Sequence, residues 1–496
     1  MGGITGGSPA GKSREKDCGD PAGYGRTLSF DLVVPGYEVT LAQVNMINNP
    51  DGRFAAFGIN KRREMARLVA EIAKREACSP ESVVDQIPLE RKTYPAVKAC
   101  LLARRFPEAS RRGEKISEVF TSFDVDPSCA LPLERTAAVP VFERIYIEAS
   151  LEASALALRA RGMFPRAQVQ LIPDYRDYCS RVHVDIPMYN LRAQDLFIVK
   201  EKHDYFKPCP CSPGARSCGY HNVNLGFGCP FECSYCFLQN YTNAPGIVLP
   251  ANIEDFFEAF RKNNKDMRVG SGEMTDSLVY DSLTGFSGQV VDFFREYPQS
   301  IFEFKTKSDN ITGLLRVKAS SNIVVGWSLN PQDVIDREEH FTASLDRRLD
   351  AACRCAAHGY RVAFHFDPVI YSPGWEADYA DVMARVFKVV PPESIAWISI
   401  GTLRMTRTQK KIIENRFPRN TILDAELFTA QDGKLRYAQD VRLDVYSKMI
   451  SWLDEKVDGS TFIYLCMEME SVWKNIQGQR STKRRPNLLM SRNGFG

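Results

Sequence analysis

The chain has 496 residues, 44% of them hydrophobic and 25% charged, with a formal net charge of +3. That length can bury the cores of two or three domains, and that charge is too small to argue for any partner. No apolar run approaches the roughly 20 residues of a membrane span, and the Gly/Ser-rich start has no signal-like apolar segment. The expectation is a cytoplasmic protein with no membrane partner, whose 14 cysteines are reduced thiols and metal ligands rather than disulfides.

Residues 1–36 are rich in Gly, Ser, Pro and charge and read as a disordered or loosely attached N-terminus. Gly6, Gly11, Lys12 and Ser13 match the phosphate-loop spacing, but neither the buried strand nor the helix that such a loop requires flanks them, so the match is read as chance. Residues 37–140 read as a helical domain. Met65, Leu68, Val69 and Ile72 recur at helical spacing, and Ser79-Pro80 reads as a cap and first-turn proline opening the next helix. Arg62, Arg63, Arg67, Lys74, Arg75, Arg104 and Arg105 are interleaved with Glu64, Glu71 and Glu76, the pattern of a solvated helix face.

Residues 141–205 change to strand, helix, strand (ERIYIEAS, LEASALALRARGMF, AQVQLI), a small α/β lead-in. A Cys-rich loop, 206–225, follows. Cys209, Cys211 and Cys218 there predict a second metal site, iron-sulfur or zinc, with His221 or another cysteine as fourth ligand; free or structural thiols are the alternative.

The segment GFGCPFECSYCFLQNY carries the chemistry. Cys229, Cys233 and Cys236 are spaced C-x3-C-x2-C. A 4Fe-4S cluster saturated by protein takes four thiolates, so a compact group of three leaves one iron open to a small molecule. Zinc motifs usually pair two C-x2-C halves or add histidines, which this segment does not do.

From 226 to 470 apolar strands alternate with amphipathic helices, as in a parallel α/β barrel. The candidate strands are DMRVGSG, IFEFKTK, NIVVGWSLN, RVAFHFDPVI, AWISIGTL and TFIYLCMEME. Their carboxyl ends, where barrel active sites lie, carry Glu273, Lys307, Ser328, Asn330, His365, Asp367, Thr402 and Glu468. Residues 471–496 form a basic C-terminal tail containing STKRR.

The triad, with Tyr235 before its last cysteine, resembles the signature of the radical S-adenosylmethionine (AdoMet) superfamily. From about Phe142 to Glu470 the chain resembles, more narrowly, the spore photoproduct lyases, through RIYIEAS, GCPFECSYCFLQ, TDSLVYDSLT, FKTK, GWSLN, SLDRRLDAACRCAAHGYRVAFHFDPVI and ISIGTLRMT. The resemblance implies a partial (βα)6 barrel of TIM type with the cluster after its first strand. It also implies a 4Fe-4S cluster that cleaves AdoMet to a 5'-deoxyadenosyl radical, and a reductant such as flavodoxin or ferredoxin. It places Lys307 and Ser328 at the AdoMet carboxylate and ribose, Thr275 and Asp367 at neighbouring cofactor contacts, and Tyr235 beside the cluster.

The departures bear on the reaction. In the family a cysteine returns hydrogen to the repaired thymine, and the alignment puts Glu273 there. A relay tyrosine is replaced by Phe237. The DNA-wedging hairpin has no clear counterpart beyond Arg436, Tyr437 and Arg442. Gly270 to Glu273 instead looks like the element that binds the AdoMet ammonium in other radical AdoMet enzymes, a role that suits a carboxylate. Cys466 is a thiol on the last strand. The expectation is therefore a radical AdoMet enzyme with an unidentified substrate, its catalytic residues drawn from Tyr235, His365 and Glu468. One alternative is repair of a DNA pyrimidine photoproduct with another hydrogen donor; another is a nucleic-acid-binding protein with structural metal centres.

Overall fold

The computed structural model describes residues 47, 52–114, 127–133, 141–202, 205–241, 244–263, 266–457 and 461–479. Gly6–Ser13 and the STKRR tail lie outside them. No helix among the described residues is long and apolar enough to cross a membrane.

The first body is helical. Helix Ile59–Glu76 packs Met65, Leu68, Val69 and Ile72 against Val83 of Pro80–Asp85 and Val97 and Leu101 of Tyr94–Arg105. Ser79 caps the second of these helices by accepting from the Ser82 amide at 3.2 Å, with Pro80 in its first turn. The basic face is not all solvated. Arg67 and Arg105 are buried: Arg67 pairs with Glu71 at 2.8 Å and Glu414 at 2.7 Å, and Arg105 pairs with Glu71 at 2.8 Å. Lys74 reaches Asp424 at 2.8 Å. Part of the interleaved charge that reads as a water-facing stripe is thus the seam by which this body docks on residues 414–426.

In chain order the strands are β1 (Arg144–Glu148), β2 (Gln168–Ile172), β3 (Asp195–Val199), β4 (Lys207–Pro208), β5 (Tyr220–Asn222), β6 (Glu232–Cys233), β7 (Ile247–Pro250), β8 (Arg268–Ser271), β9 (Ile301–Thr306), β10 (Ile323–Ser328), β11 (Glu339–His340), β12 (Arg361–Val369), β13 (Ile395–Thr402), β14 (Arg404–Met405), β15 (Phe428–Thr429), β16 (Leu435–Arg436) and β17 (Phe462–Leu465). The large sheet runs β17-β13-β12-β10-β9-β8-β5-β4, parallel throughout except at β4. Helices such as Leu345–His358 and Trp375–Val389 connect the strands, and β10 and β13 are buried along their whole length.

All six strands expected from the sequence are present, and β5 adds a seventh ahead of them. It was illegible because three residues inside a Cys/Pro/Gly-rich run show no alternation. The lead-in sheet, β2-β1-β3-β7, is also parallel and larger than expected. Its strand β7 comes from within the barrel segment, so the two units interlock instead of following one another at residue 226.

Candidate active site

The cluster loop follows β5 and is held from several sides. Its backbone enters through Gly228, whose φ of +81° favours glycine. The Gly228 carbonyl accepts from Thr275 Oγ1 at 2.9 Å, and the Gly228 amide donates to the Met274 carbonyl at 2.9 Å. Arg192 donates to the Cys229 carbonyl at 2.7 Å, Gln239 to that of Ser234 at 2.6 Å and Gln409 to that of Tyr235 at 2.8 Å. Cys233 pairs with Glu339 across the β6–β11 ladder. Each capped carbonyl fixes one more turn of an irregular segment.

Cys229, Cys233 and Cys236 line one cavity of about 540 Å³ at the carboxyl ends of the barrel strands. Burial pushes the Cys229 thiol up to about 12 and raises Cys233 and Cys236, while the nearby Lys307 ammonium opposes the rise at Cys233 and Cys236. Among the described residues no three His, Cys, Asp or Glu side chains converge as a single metal ion requires. Three thiols on one cavity wall, Cys233 buried and Cys229 and Cys236 partly exposed, with the Lys307 ammonium nearby, fit a 4Fe-4S cluster with one open iron.

The rest of the wall comes from successive strands. On β9, alternation sends Glu303, Lys305 and Lys307 to the same face, and all three line the cavity with Asn222, Glu273, Ser328, His365, Asp367 and Cys466. Gly272 has φ +101°, and a Cβ there would come within 2.7 Å of the Lys305 carbonyl, so the turn that presents Glu273 requires glycine. Burial pushes the Glu273 carboxyl above its usual range, against Lys207 and a hydrogen bond from Asn222. Lys307 lies 5.5 Å over the Tyr235 ring. A carboxylate, an amide and an ammonium thus sit beside the triad, a set suited to the amino-acid end of AdoMet.

Several residues named from the sequence are placed differently. Asn330 is not a cavity residue: it donates to Glu339 at 2.7 Å and Tyr235 at 3.4 Å, accepts from Tyr379 at 2.6 Å, and so orients Tyr235, whose hydroxyl donates to Glu339. Glu468 is fully buried away from the cavity, accepting from Arg442 at 3.1 Å, Tyr446 at 2.9 Å and the Met469 amide at 2.9 Å. Thr275 spends its hydroxyl on the cluster loop. Asp367 is held by Arg404 at 2.7 Å and 3.2 Å.

His365 lines the cavity floor with both ring nitrogens engaged, Nε2 to Glu303 at 2.7 Å and Nδ1 to Ser399 at 2.6 Å. Burial lowers its imidazole pKa, with the Glu303 carboxylate opposing, and its ring is held in place from both sides. Arg436, Tyr437 and Arg442 are buried and committed to Asp432, the Tyr371 amide and Glu468 respectively. None is free to wedge DNA.

In the Cys-rich loop, Cys209 and Cys218 line the cavity with Cys466, but His221 faces the other side of β5 from Tyr220 and Asn222 and bonds the Gly219 carbonyl. His221 thus faces away from those thiols, and among the described residues no three His, Cys, Asp or Glu side chains converge as a single zinc ion requires. The sequence reading missed Asn222, Lys305 and Arg404. The two-residue period of IFEFKTK could have given Lys305, whereas Arg404 is placed by the two-residue strand β14, which leaves no pattern.

A parallel half-barrel with three cysteines on the loop after its first strand, beside an open cavity into which several charged side chains project, defines a radical AdoMet enzyme. The chain belongs to the spore photoproduct lyase family, whose model matches residues 211–466, more than half of the chain. It is 25% identical over 238 residues to the spore photoproduct lyase of Clostridium acetobutylicum, covering 47% of this chain and 69% of that protein. It is 27% identical over 213 residues to that of Bacillus subtilis, covering 41% and 62%. A solved spore photoproduct lyase complexed with dinucleoside spore photoproduct shares the fold, with a TM-score of 0.57 and 20% identity over 66% of this chain and 99% of that one. A double mutant of that enzyme with bound AdoMet and the same dinucleoside matches equally, over 67% and 99%.

Proposed function

We propose that this chain uses AdoMet-dependent radical chemistry to act on a DNA pyrimidine lesion of the spore photoproduct kind. The observation that supports it best is one cavity that joins the cysteine triad to a wall of thiols and cations, in a fold whose relatives bind the dinucleoside spore photoproduct. Cys229, Cys233 and Cys236 would hold the cluster. Glu273, backed by Asn222, receives the AdoMet ammonium, Lys307 the carboxylate, and Ser328 the ribose side. When bound, the reduced cluster supplies the electron that cleaves AdoMet and delivers a hydrogen-abstracting radical; flavodoxin or ferredoxin is the class of reductant.

Glu273 cannot return a hydrogen atom, having no weak X–H bond. Cys466 can. Its sulfur lines the cavity 3.8 Å from Arg404, beside Asp367. In our reading its S–H bond breaks as a C–H bond forms on the substrate carbon radical, and the thiyl left behind takes one electron and one proton from the external reductant. Cys209 and Cys218 are read as neighbouring thiols, not as ligands of a second metal site. Tyr235, fixed by Glu339 and Asn330, closes the cluster side, and His365 shapes the floor.

The test is anaerobic reconstitution followed by assay with AdoMet and dinucleoside spore photoproduct. 5'-Deoxyadenosine release and repaired thymines are expected from the wild type, and neither from the triple alanine variant at Cys229, Cys233 and Cys236. Cys466→Ala should still release 5'-deoxyadenosine while the repaired product falls at least about tenfold. A cluster-loaded protein that leaves the lesion untouched sinks the substrate, and a Cys466→Ala variant that repairs normally sinks the donor.

A further inference from the structure

A second cleft, of about 380 Å³, opens at the carboxyl ends of the lead-in sheet. The chain runs from β1 outward to β2 and then crosses to β3 on the other side of β1, so the crevice at β1 and β3 lies where the strand order reverses, the place where open parallel sheets take ligands. Glu148 at the end of β1 is buried and accepts from the Tyr175 and Lys200 amides at 3.0 Å and 2.9 Å. Those amides are engaged, which leaves side chains to meet a ligand. Lys202 is held by Asp174 at 2.6 Å. Among the described residues Arg176 and Lys207 have no ion pair, and Lys200 comes only within 4.0 Å of Asp255. Arg176, Lys200, Lys202 and Lys207 thus line the cleft against Glu148, Asp174 and Glu201, an excess of one positive charge, with Arg176 and Lys207 the cations not held in an ion pair among the described residues.

The cleft adjoins the radical cavity, since Tyr241 and Met274 wall both. Lys207 stands at the junction, paired with Asn222 across the β4–β5 ladder. Tyr241, which walls the cleft, and Phe237, on the adjoining wall of the radical cavity, are 60% and 40% exposed, with ring centroids 5.8 Å apart at 71°. Exposed rings beside a cationic groove are the equipment of single-strand binding, bases stacking on aromatics while phosphates meet Lys and Arg. We propose that this cleft carries the nucleic-acid strand that continues from the nucleotide in the radical cavity, with Phe237 and Tyr241 against its bases and Arg176, Lys200 and Lys207 at its phosphates. The inference rests on the nucleic-acid reading of the substrate.

Its test reads binding without chemistry. An undamaged single-stranded oligothymidine of about 12 nucleotides, within the usual site sizes, is titrated by fluorescence anisotropy against the full reconstituted chain across a salt series. In the triple variant Arg176→Ala, Lys200→Ala, Lys207→Ala the slope of log K against log salt should fall by about 2, at roughly 0.7 for each phosphate that is no longer neutralised. Affinity should drop at least about tenfold at low salt. Tyr241→Ala should weaken binding with the salt slope kept, since stacking releases no counterions. Cluster absorption equal to wild type shows that the variants are folded. A triple variant with unchanged slope and affinity overturns the assignment, and because the oligonucleotide carries no lesion, failure of the repair assay is read separately.

Discussion

At the scale of single residues, the AdoMet seat proposed above turns on Glu273, which lines the cavity. A carboxylate that gains an ammonium partner makes a charge-assisted hydrogen bond, and an amide of the same shape keeps the geometry while losing the charge. Glu273→Gln should therefore weaken AdoMet binding about 10- to 100-fold, the weight of a hydrogen bond to a charged group. Isothermal titration on cluster-loaded protein would show it, with cluster absorption unchanged; equal affinity would remove Glu273 from the AdoMet site. The residues at this scale were unevenly legible. That the triad lies on the cavity was legible because its spacing is itself a chemical constraint, and that Glu273 and Lys307 do because they follow the ends of strands. Asn330 and Glu468 also end strands and were misread, because strand position says which end of the sheet a side chain occupies and not whether another side chain has already claimed it. Tyr379 and Arg442, distant in sequence, are what take those two residues out of play.

At the scale of elements, the hairpin Phe428–Arg436 shows how a wall of the cavity is kept rigid. β16 pairs with both β14 and β15, Lys434 donates to Ser212 of the Cys-rich loop at 2.9 Å, and Arg436 is held by Asp432 at 2.7 Å. Burial alone would raise the Asp432 carboxyl, yet Arg436 brings it down to about 2, below the roughly 3.9 of an unfolded Asp. The folded value is the lower one, so this contribution is complete above about pH 4 and is lost as pH falls toward 2. The difference in Tm between wild type and Asp432→Asn should accordingly narrow from about pH 5 to about pH 3; a constant gap would show that the pair's charge carries none of it. The helix Ile59–Glu76 gives a second case. Its apolar stripe was read from spacing, but its charged face hides the docking seam, because a buried Arg–Glu–Arg network and a solvated one have the same letters. Glu71→Ala leaves Arg67 and Arg105 buried without that carboxylate and should cost roughly 3 to 5 kcal/mol, seen in denaturant unfolding. A change within about 1 kcal/mol would mean that water replaces the partner and that the seam is weak.

At the scale of the whole molecule, the active site is where separately built parts meet. Glu232, inside the cluster loop, accepts from Arg192 of the lead-in unit at 2.6 Å and from Arg416, on the helix that follows β14, at 2.7 Å, with all three side chains almost fully buried. Arg192 also caps the Cys229 carbonyl, and Arg416 reaches Gln239 at 2.9 Å, so one carboxylate ties the lead-in sheet and the C-terminal half of the barrel to the loop that carries the triad. A buried pair of this kind adds little net stability over an apolar substitute, but removing one partner strands the others. Glu232→Gln keeps the volume and leaves two guanidiniums without a counter-charge. If this three-way tie positions the triad, the variant should keep its helical circular dichroism while the iron retained after reconstitution falls well below wild type. In a double-mutant cycle with Arg416→Met the two effects should be far from additive, because either change alone already releases the same loop. Full iron retention with only a lower Tm would make the tie a stabiliser of the assembled body, and the shape of the cluster loop would then rest on the carbonyl caps from Arg192, Gln239 and Gln409 alone.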